Sequence, residues 1–74
     1  MRDLVILGST GSIGVQALEI VAANPGSFNV VAISAYGSNP AAIIEQARTF
    51  KVQVIGVAQN AAVIREALPG VTVI

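Results

Sequence analysis

The residues best placed to do chemistry in this chain are Gly8-Ser9-Thr10-Gly11-Ser12-Ile13-Gly14, directly after the apolar run Leu4-Val5-Ile6-Leu7. A buried strand that runs into a glycine-punctuated turn opening a helix can hold an anion, in particular a pyrophosphate. The unpaired N–H groups of the first helical turn point at the anion, and the helix dipole adds to their pull. Each glycine has a separate use. Gly8 allows a sharp exit from the strand, Gly11 removes a side chain where a ligand approaches the backbone, and Gly14 lets the helix pack close to the sheet. The spacing is G-x-x-G-x-x-G, with Thr10 where the commonest dinucleotide fingerprint has its second glycine. No lysine follows these glycines at the place a Walker-type phosphate loop requires, so that loop is excluded.

Other chemistry is excluded by composition. The 74 residues contain no histidine and no cysteine, which removes a zinc site, a Ser-His dyad and a disulfide framework from this stretch. Four basic and four acidic residues balance to zero net charge, so no electrostatic footprint for nucleic acid is present. No apolar run reaches the roughly 18 residues of a membrane-spanning helix. The opening Met1-Arg2-Asp3 leads into a core strand rather than a signal peptide, which gives a cytoplasmic protein as the expectation. Hydrophobic residues make up 54% and charged residues 11%, a ratio suited to a parallel sheet covered by helices rather than to a small free-standing domain. The length is below that of a complete two-half dinucleotide fold, and the terminal Val71-Thr72-Val73-Ile74 reads as a strand without a cap. The expectation is a piece of something longer, which on its own would dimerise, swap elements or aggregate.

The elements that must position the glycine turn follow from periodicity and punctuation. Strands are expected over about 3–7, 28–34, 52–58 and from Val71, and helices over about 12–23, 40–50 and 60–68. The first helix places Ile13, Ala17, Ile20 and Val21 on one face and is ended by Asn24-Pro25-Gly26. The second opens at Ser38-Asn39-Pro40, with Asn39 as cap, and buries Ile43, Ala47 and Phe50. Arg48 and Lys51 near its end match the dipole and read as solvated, as do Glu19, Glu45 and Glu66 on their helices. Asn60 is expected to cap the third helix. The order βαβαβαβ defines an α/β chain, the first half of a Rossmann-like, doubly wound parallel sheet with the glycine turn at its switch point. The expected strand order is 3-2-1-4, with the third helix crossing to the opposite face.

The choice of dinucleotide rests on the second loop. In NAD-preferring folds an acidic residue about 20 positions past the glycine turn binds the adenosine ribose. Here that position is Ser34, and nothing acidic lies between Glu19 and Glu45, which favours NADP. The usual positive partner is also missing, since no Lys or Arg lies between Arg2 and Arg48. Gly37-Ser38-Asn39 offers a second anion site, with backbone N–H groups and two polar side chains suited to a ribose phosphate. Ser38 and Asn39 also read as plain capping residues.

Leu7-Gly8-Ser9-Thr10-Gly11-Ser12-Ile13-Gly14, followed by Asn24-Pro25, Phe28 and Val30-Val31-Ala32, closely resembles the amino-terminal end of the 1-deoxy-D-xylulose 5-phosphate reductoisomerase family. The likeness runs through Gly37-Ser38-Asn39 and, more weakly, to about Ala62. It implies an NADPH-dependent oxidoreductase of non-mevalonate isoprenoid biosynthesis, of which residues 1–74 are the amino-terminal part of an NADP-binding domain. Such enzymes rearrange a sugar phosphate and reduce the product to 2-C-methyl-D-erythritol 4-phosphate, with a divalent metal, magnesium or manganese, as Lewis acid. By the resemblance, Thr10, Gly11, Ser12 and Ile13 touch the cofactor phosphates and nearby ribose, and Gly37, Ser38 and Asn39 hold the 2′-phosphate end. The family often has Gly-Lys-Asn after the second strand; this chain has Tyr36-Gly37-Ser38-Asn39, so the lysine is absent. Tyr36 reads as a partly buried loop aromatic, with stacking near the adenine as its other use. Metal and substrate ligands are expected beyond residue 74, no catalytic residue within it, and a homodimer for the full-length protein. Two other readings stay open: part of another NADP-linked oxidoreductase, and a non-catalytic nucleotide-sensing module.

Overall fold

Alternating apolar runs and capped amphipathic stretches leave this chain one economical way to bury its surface, strand and helix in turn. The computed structural model describes residues 2–74. In chain order they form β1 (Arg2–Leu7), α1 (Ser12–Ala23), β2 (Phe28–Ala35), α2 (Pro40–Phe50), β3 (Val54–Val57), α3 (Ala61–Ala67) and β4 (Thr72–Val73). All strand pairs are parallel, in a single sheet. This is a Rossmann-like α/β half-fold.

The strand order differs from the expected 3-2-1-4. It is β1-β2-β3-β4, so β4 pairs with β3 and not with β1. The length of the last connection explains this. Reaching the far side of β1 from β3 means a sideways step of three strand spacings, about 14 Å. A seven-residue helix with short flanking loops has to run back along the sheet first, and it can deliver the chain only to the neighbouring position. Nor does α3 cross to the opposite face. It packs against α2, and α1 and α2 share a groove bordered by Val15, Leu18, Ala22, Ala42, Thr49 and Phe50. All three helices therefore lie on one side of the sheet, as successive right-handed crossovers in one direction require.

The core sits under those helices. Ile6, Ile33, Ile55 and Val73 stand side by side across the four strands and are buried, with Ile43 of α2 and Ile64 of α3 packed in the same cluster. The next row, Val5-Ala32-Val54-Thr72, faces the other way. There Val5 and, further along, Leu7 remain open, Leu7 at 78% exposure.

Other boundaries moved for local reasons. In α1 the buried residues are Gly14, Leu18 and Val21, while Ile13 and Ile20 are exposed, contrary to the expected face. The polar Ser12, Gln16 and Glu19 share one stripe of the helix, and the buried residues are those opposite it; the contact of Gly14 with the preceding turn fixes the same face. The expected start of β3 at Val52 is drawn back into the end of α2, where the Val52 N–H donates to the Ala47 carbonyl at 3.0 Å. Lys51 adopts the left-handed conformation there, with φ 55°. Val71 donates to Leu68, which delays β4 to Thr72. The second helix forms as read, with Pro40 in its first turn and the Asn39 side chain accepting from the Ala42 N–H at 3.3 Å. Arg48 is exposed, and its guanidinium also donates to the Ala67 carbonyl at 3.2 Å, joining α2 to the end of α3.

An apolar sheet face without helices predicts that residues 1–74 on their own self-associate in sedimentation velocity. Val5→Lys combined with Leu7→Lys should shift the population to monomer. A wild-type segment that sediments as a monomer and melts cooperatively contradicts this.

Candidate functional site

Three loops leave the carboxyl ends of β1, β2 and β3 at one edge of the sheet, where open α/β sheets bind ligands. The first is the glycine turn. Gly8 has φ 71°, and its carbonyl accepts from the Gly11 N–H at 3.0 Å, closing the turn. The Ser9 N–H donates to the Ser34 carbonyl of β2 at 2.9 Å, which anchors the turn to the sheet. Gly14 is where α1 touches the turn. A Cβ at that position would lie 2.2 Å from the Gly8 carbonyl oxygen and 2.7 Å from the Ser9 Cα. Only glycine permits the helix to start so close to the strand exit.

The consequence is an open helix N-terminus. Gly11 occupies the cap position with extended backbone and no side-chain hydrogen bond. The first helical bond runs from the Val15 N–H to the Gly11 carbonyl. Among the described residues, no acceptor pairs with the N–H groups of Ser12, Ile13 or Gly14, and no acidic residue lies in the first turn. Thr10, Gly11, Ser12 and Ile13 are all exposed around that terminus, Ile13 at 83%. This leaves the Ser12 and Ile13 donors and a positive dipole end at an exposed terminus, with no acidic side chain in the first turn to neutralise them.

The second loop is built differently. Gly37 has φ 105°, and a Cβ there would meet the Gln59 carbonyl oxygen at 2.2 Å. It is buried, and its place is to let the β2–α2 loop lie against the β3–α3 loop; Ser38 and Asn39 beside it are exposed. The Ala58 and Gln59 N–H groups both donate to the Tyr36 carbonyl at 3.0 Å. Less of the α2 terminus is free than of the α1 terminus. Pro40 has no N–H and the Ala42 N–H is taken by Asn39, so any anion there would be met mainly by the Ser38 and Asn39 side chains and nearby loop N–H groups. Tyr36 is 65% exposed, so it is not the partly buried aromatic its loop position suggested.

Two residues support the site in ways the sequence did not indicate. Asn60 precedes α3 as expected, but it makes no capping bond; its amide instead donates to the Gly37 carbonyl at 2.7 Å, with its own backbone left-handed at φ 60°. Gln46 of α2 donates through Nε2 to the Ser9 carbonyl at 2.8 Å. Its signal was available as a polar residue three positions after Ile43 and four before Phe50, on the inward stripe of α2. Glu19, Glu45 and Glu66 are exposed on their helices, as read. No group of three metal-ligating side chains occurs among the described residues.

An α/β half-sheet with a glycine turn at the start of α1 and a second loop over the next strand defines the Rossmann-like class, whose ligands sit at this edge. Within that class the chain belongs to the 1-deoxy-D-xylulose 5-phosphate reductoisomerase family, whose model matches residues 4–72. Its relatives include the reductoisomerase of Corynebacterium efficiens, 51% identical over 74 aligned positions that cover 95% of this chain and 19% of the relative. The reductoisomerase of Streptomyces coelicolor is 48% identical over 69 positions, 90% of this chain and 16% of the relative. Among solved structures, the reductoisomerase of Zymomonas mobilis in complex with NADPH superposes with a TM-score of 0.86 at 28% identity, covering 97% of this chain and 20% of that one. The chain thus spans about a fifth of the length of these relatives.

The contact at Gly14 sets a test whose sign is informative. In an ordinary helix, Gly→Ala is stabilising by roughly 0.5–1 kcal/mol. Here Gly14→Ala should destabilise the full-length protein by at least about 1–3 kcal/mol in chemical denaturation. Gly70→Ala, which meets nothing within 4 Å, should be close to neutral. Equal effects at the two positions would contradict the close approach.

Proposed function

We propose that residues 1–74 are the amino-terminal part of the NADP-binding domain of an NADPH-dependent reductoisomerase. The full-length enzyme would convert 1-deoxy-D-xylulose 5-phosphate to 2-C-methyl-D-erythritol 4-phosphate in non-mevalonate isoprenoid biosynthesis. The observation that carries this is the uncapped, acid-free first turn of α1, held open at the sheet edge by Gly14. Family membership and the NADPH in the Zymomonas mobilis structure support the same reading.

In this reading Thr10, Gly11, Ser12 and Ile13 surround the pyrophosphate and the adjoining ribose, with the Ser12 and Ile13 N–H groups as donors. Gly37 shapes the second loop, and Ser38 and Asn39 meet the 2′-phosphate with hydroxyl and amide donors in place of a lysine. Tyr36, exposed beside that loop, has room to stack on the adenine. When bound, NADPH supplies the hydride; these residues bind and orient it. No residue of the segment is assigned a catalytic role. The magnesium or manganese of the full enzyme finds no ligand set among the described residues, so the proposal places its ligands, and those of the sugar-phosphate substrate, outside this segment. The open edge of β1 is where the proposal continues the sheet, which would put the glycine turn at the switch point. A cytoplasmic homodimer completes the reading, without nucleic acid or membrane as a partner. No described helix is long and apolar enough to cross a membrane.

Ser12→Asp separates ligand binding from folding. A carboxylate in the first helical turn favours the helix but opposes a pyrophosphate. In isothermal titration of the full-length protein, NADPH should bind more tightly than NADH. Ser12→Asp should weaken NADPH by about tenfold with no drop in Tm, within the range of up to about 2 kcal/mol for a charge at a helix terminus. Absence of nucleotide binding, or an unchanged affinity in the variant, contradicts the proposal.

A further inference from the structure

Gln46 reaches from the middle of α2 to the glycine turn, and its amide is only half used. Nε2 donates to the Ser9 carbonyl at 2.8 Å, whereas Oε1 is buried with no partner among the described residues. Ser9 is itself fully buried, and its hydroxyl is also without a partner. For packing alone, a methionine of similar length would fill this place without burying an unpaired carbonyl, which carries a desolvation penalty. What the glutamine offers beyond volume is the hydrogen bond its amide donates. That bond fixes the Ser9 carbonyl, while the N–H of the same residue is already held by the Ser34 carbonyl of β2 at 2.9 Å. With both sides of the residue held, one from the sheet and one from α2, the turn enters α1 in one orientation.

We propose that Gln46 is a positioning residue for the pyrophosphate turn: by holding the Ser9 carbonyl it keeps the Ser12 and Ile13 N–H groups aimed at the ligand phosphates. This rests on the function proposed above. The arrangement also ties the two anion-binding loops to one rigid body. The helix that carries Gln46 is capped by Asn39, so the position of the second loop and the orientation of the first are set by the same element. Gln46 touches no ligand in this account and acts through Ser9.

The test uses the full-length protein with two variants and two probes. Gln46→Met removes the donor and keeps the bulk. Gln46→Glu keeps the shape and replaces the donor with an oxygen that can donate only when protonated. NADPH carries a pyrophosphate, while adenosine 2′-monophosphate does not. Gln46→Met should weaken NADPH by about tenfold, the value of one hydrogen bond, and leave adenosine 2′-monophosphate unchanged in competition titrations. In steady state the KM for NADPH should rise while kcat at saturating NADPH stays near wild type. Gln46→Glu should bind NADPH poorly at about pH 8 and recover relative to wild type as the pH falls and its carboxyl, facing the Ser9 carbonyl, gains a proton. Glu19 of α1 and Glu45 of α2 border the same groove, and wild type shares them, so the ratio to wild type isolates residue 46. Loss of affinity for both probes in parallel with a loss of Tm, or an unchanged NADPH affinity in Gln46→Met, overturns the proposal. Failure of wild type to bind NADPH would instead remove the functional reading beneath it.

Discussion

Between Gly14 and Gly8 there is backbone on both sides and no room for a side chain, and the remaining geometry of the sheet edge follows from that contact. It fixes the rotation of α1 in the same sense as the polar stripe of Ser12, Gln16 and Glu19, which lies opposite the buried face. That rotation buries Leu18 and Val21 and turns Ile13 outward. It also places the helix N-terminus directly beyond the end of β1, with its first N–H groups unpaired. An uncapped helix end costs stability unless water or a ligand satisfies it. Here the fold accepts that cost at the position where an anion would benefit most from it.

The second loop is held by a similar device with different parts. Gly37 lies against the Gln59 backbone, Tyr36 accepts two N–H groups from the next loop, and the Asn60 amide holds the Gly37 carbonyl. These bonds use up the backbone polarity of the loop, and Asn39 and Pro40 use up most of the α2 terminus. An anion at this end would therefore meet short polar side chains. At the first turn it would meet the backbone and the helix dipole. The two ends of a dinucleotide would meet chemically different surfaces, both lacking formal positive charge.

Much of this was legible before the structure. The strand, turn and helix around Gly8–Gly14 follow from a run of apolar residues and three glycines, and Asn39-Pro40 marked the start of α2 to the residue. The family could be read from the same string, and the match over residues 4–72 bears that out. Strand order was not legible, because the preference for 3-2-1-4 came from complete doubly wound sheets and not from the short connection through α3. The inward face of α1 was misplaced because Ile13 and Ile20 were chosen for their apolarity, although Ser12, Gln16 and Glu19 mark the outward side opposite Gly14, Leu18 and Val21. Asn60 looked like a cap, since local pattern cannot reveal that its amide is used across loops. Gln46 was passed over because one polar residue on an apolar stripe reads as noise until its partner, the Ser9 carbonyl, is known.

If the free N–H groups behind Gly11 hold a pyrophosphate, its oxygens must be found against them. The most direct measurement is a crystal structure of the full-length protein with NADPH. Pyrophosphate oxygens should lie about 3 Å from the Ser12 and Ile13 nitrogens, and the 2′-phosphate beside Ser38 and Asn39. A bound cofactor whose phosphates lie away from the α1 terminus would contradict this, and the glycine turn would then be a packing device alone.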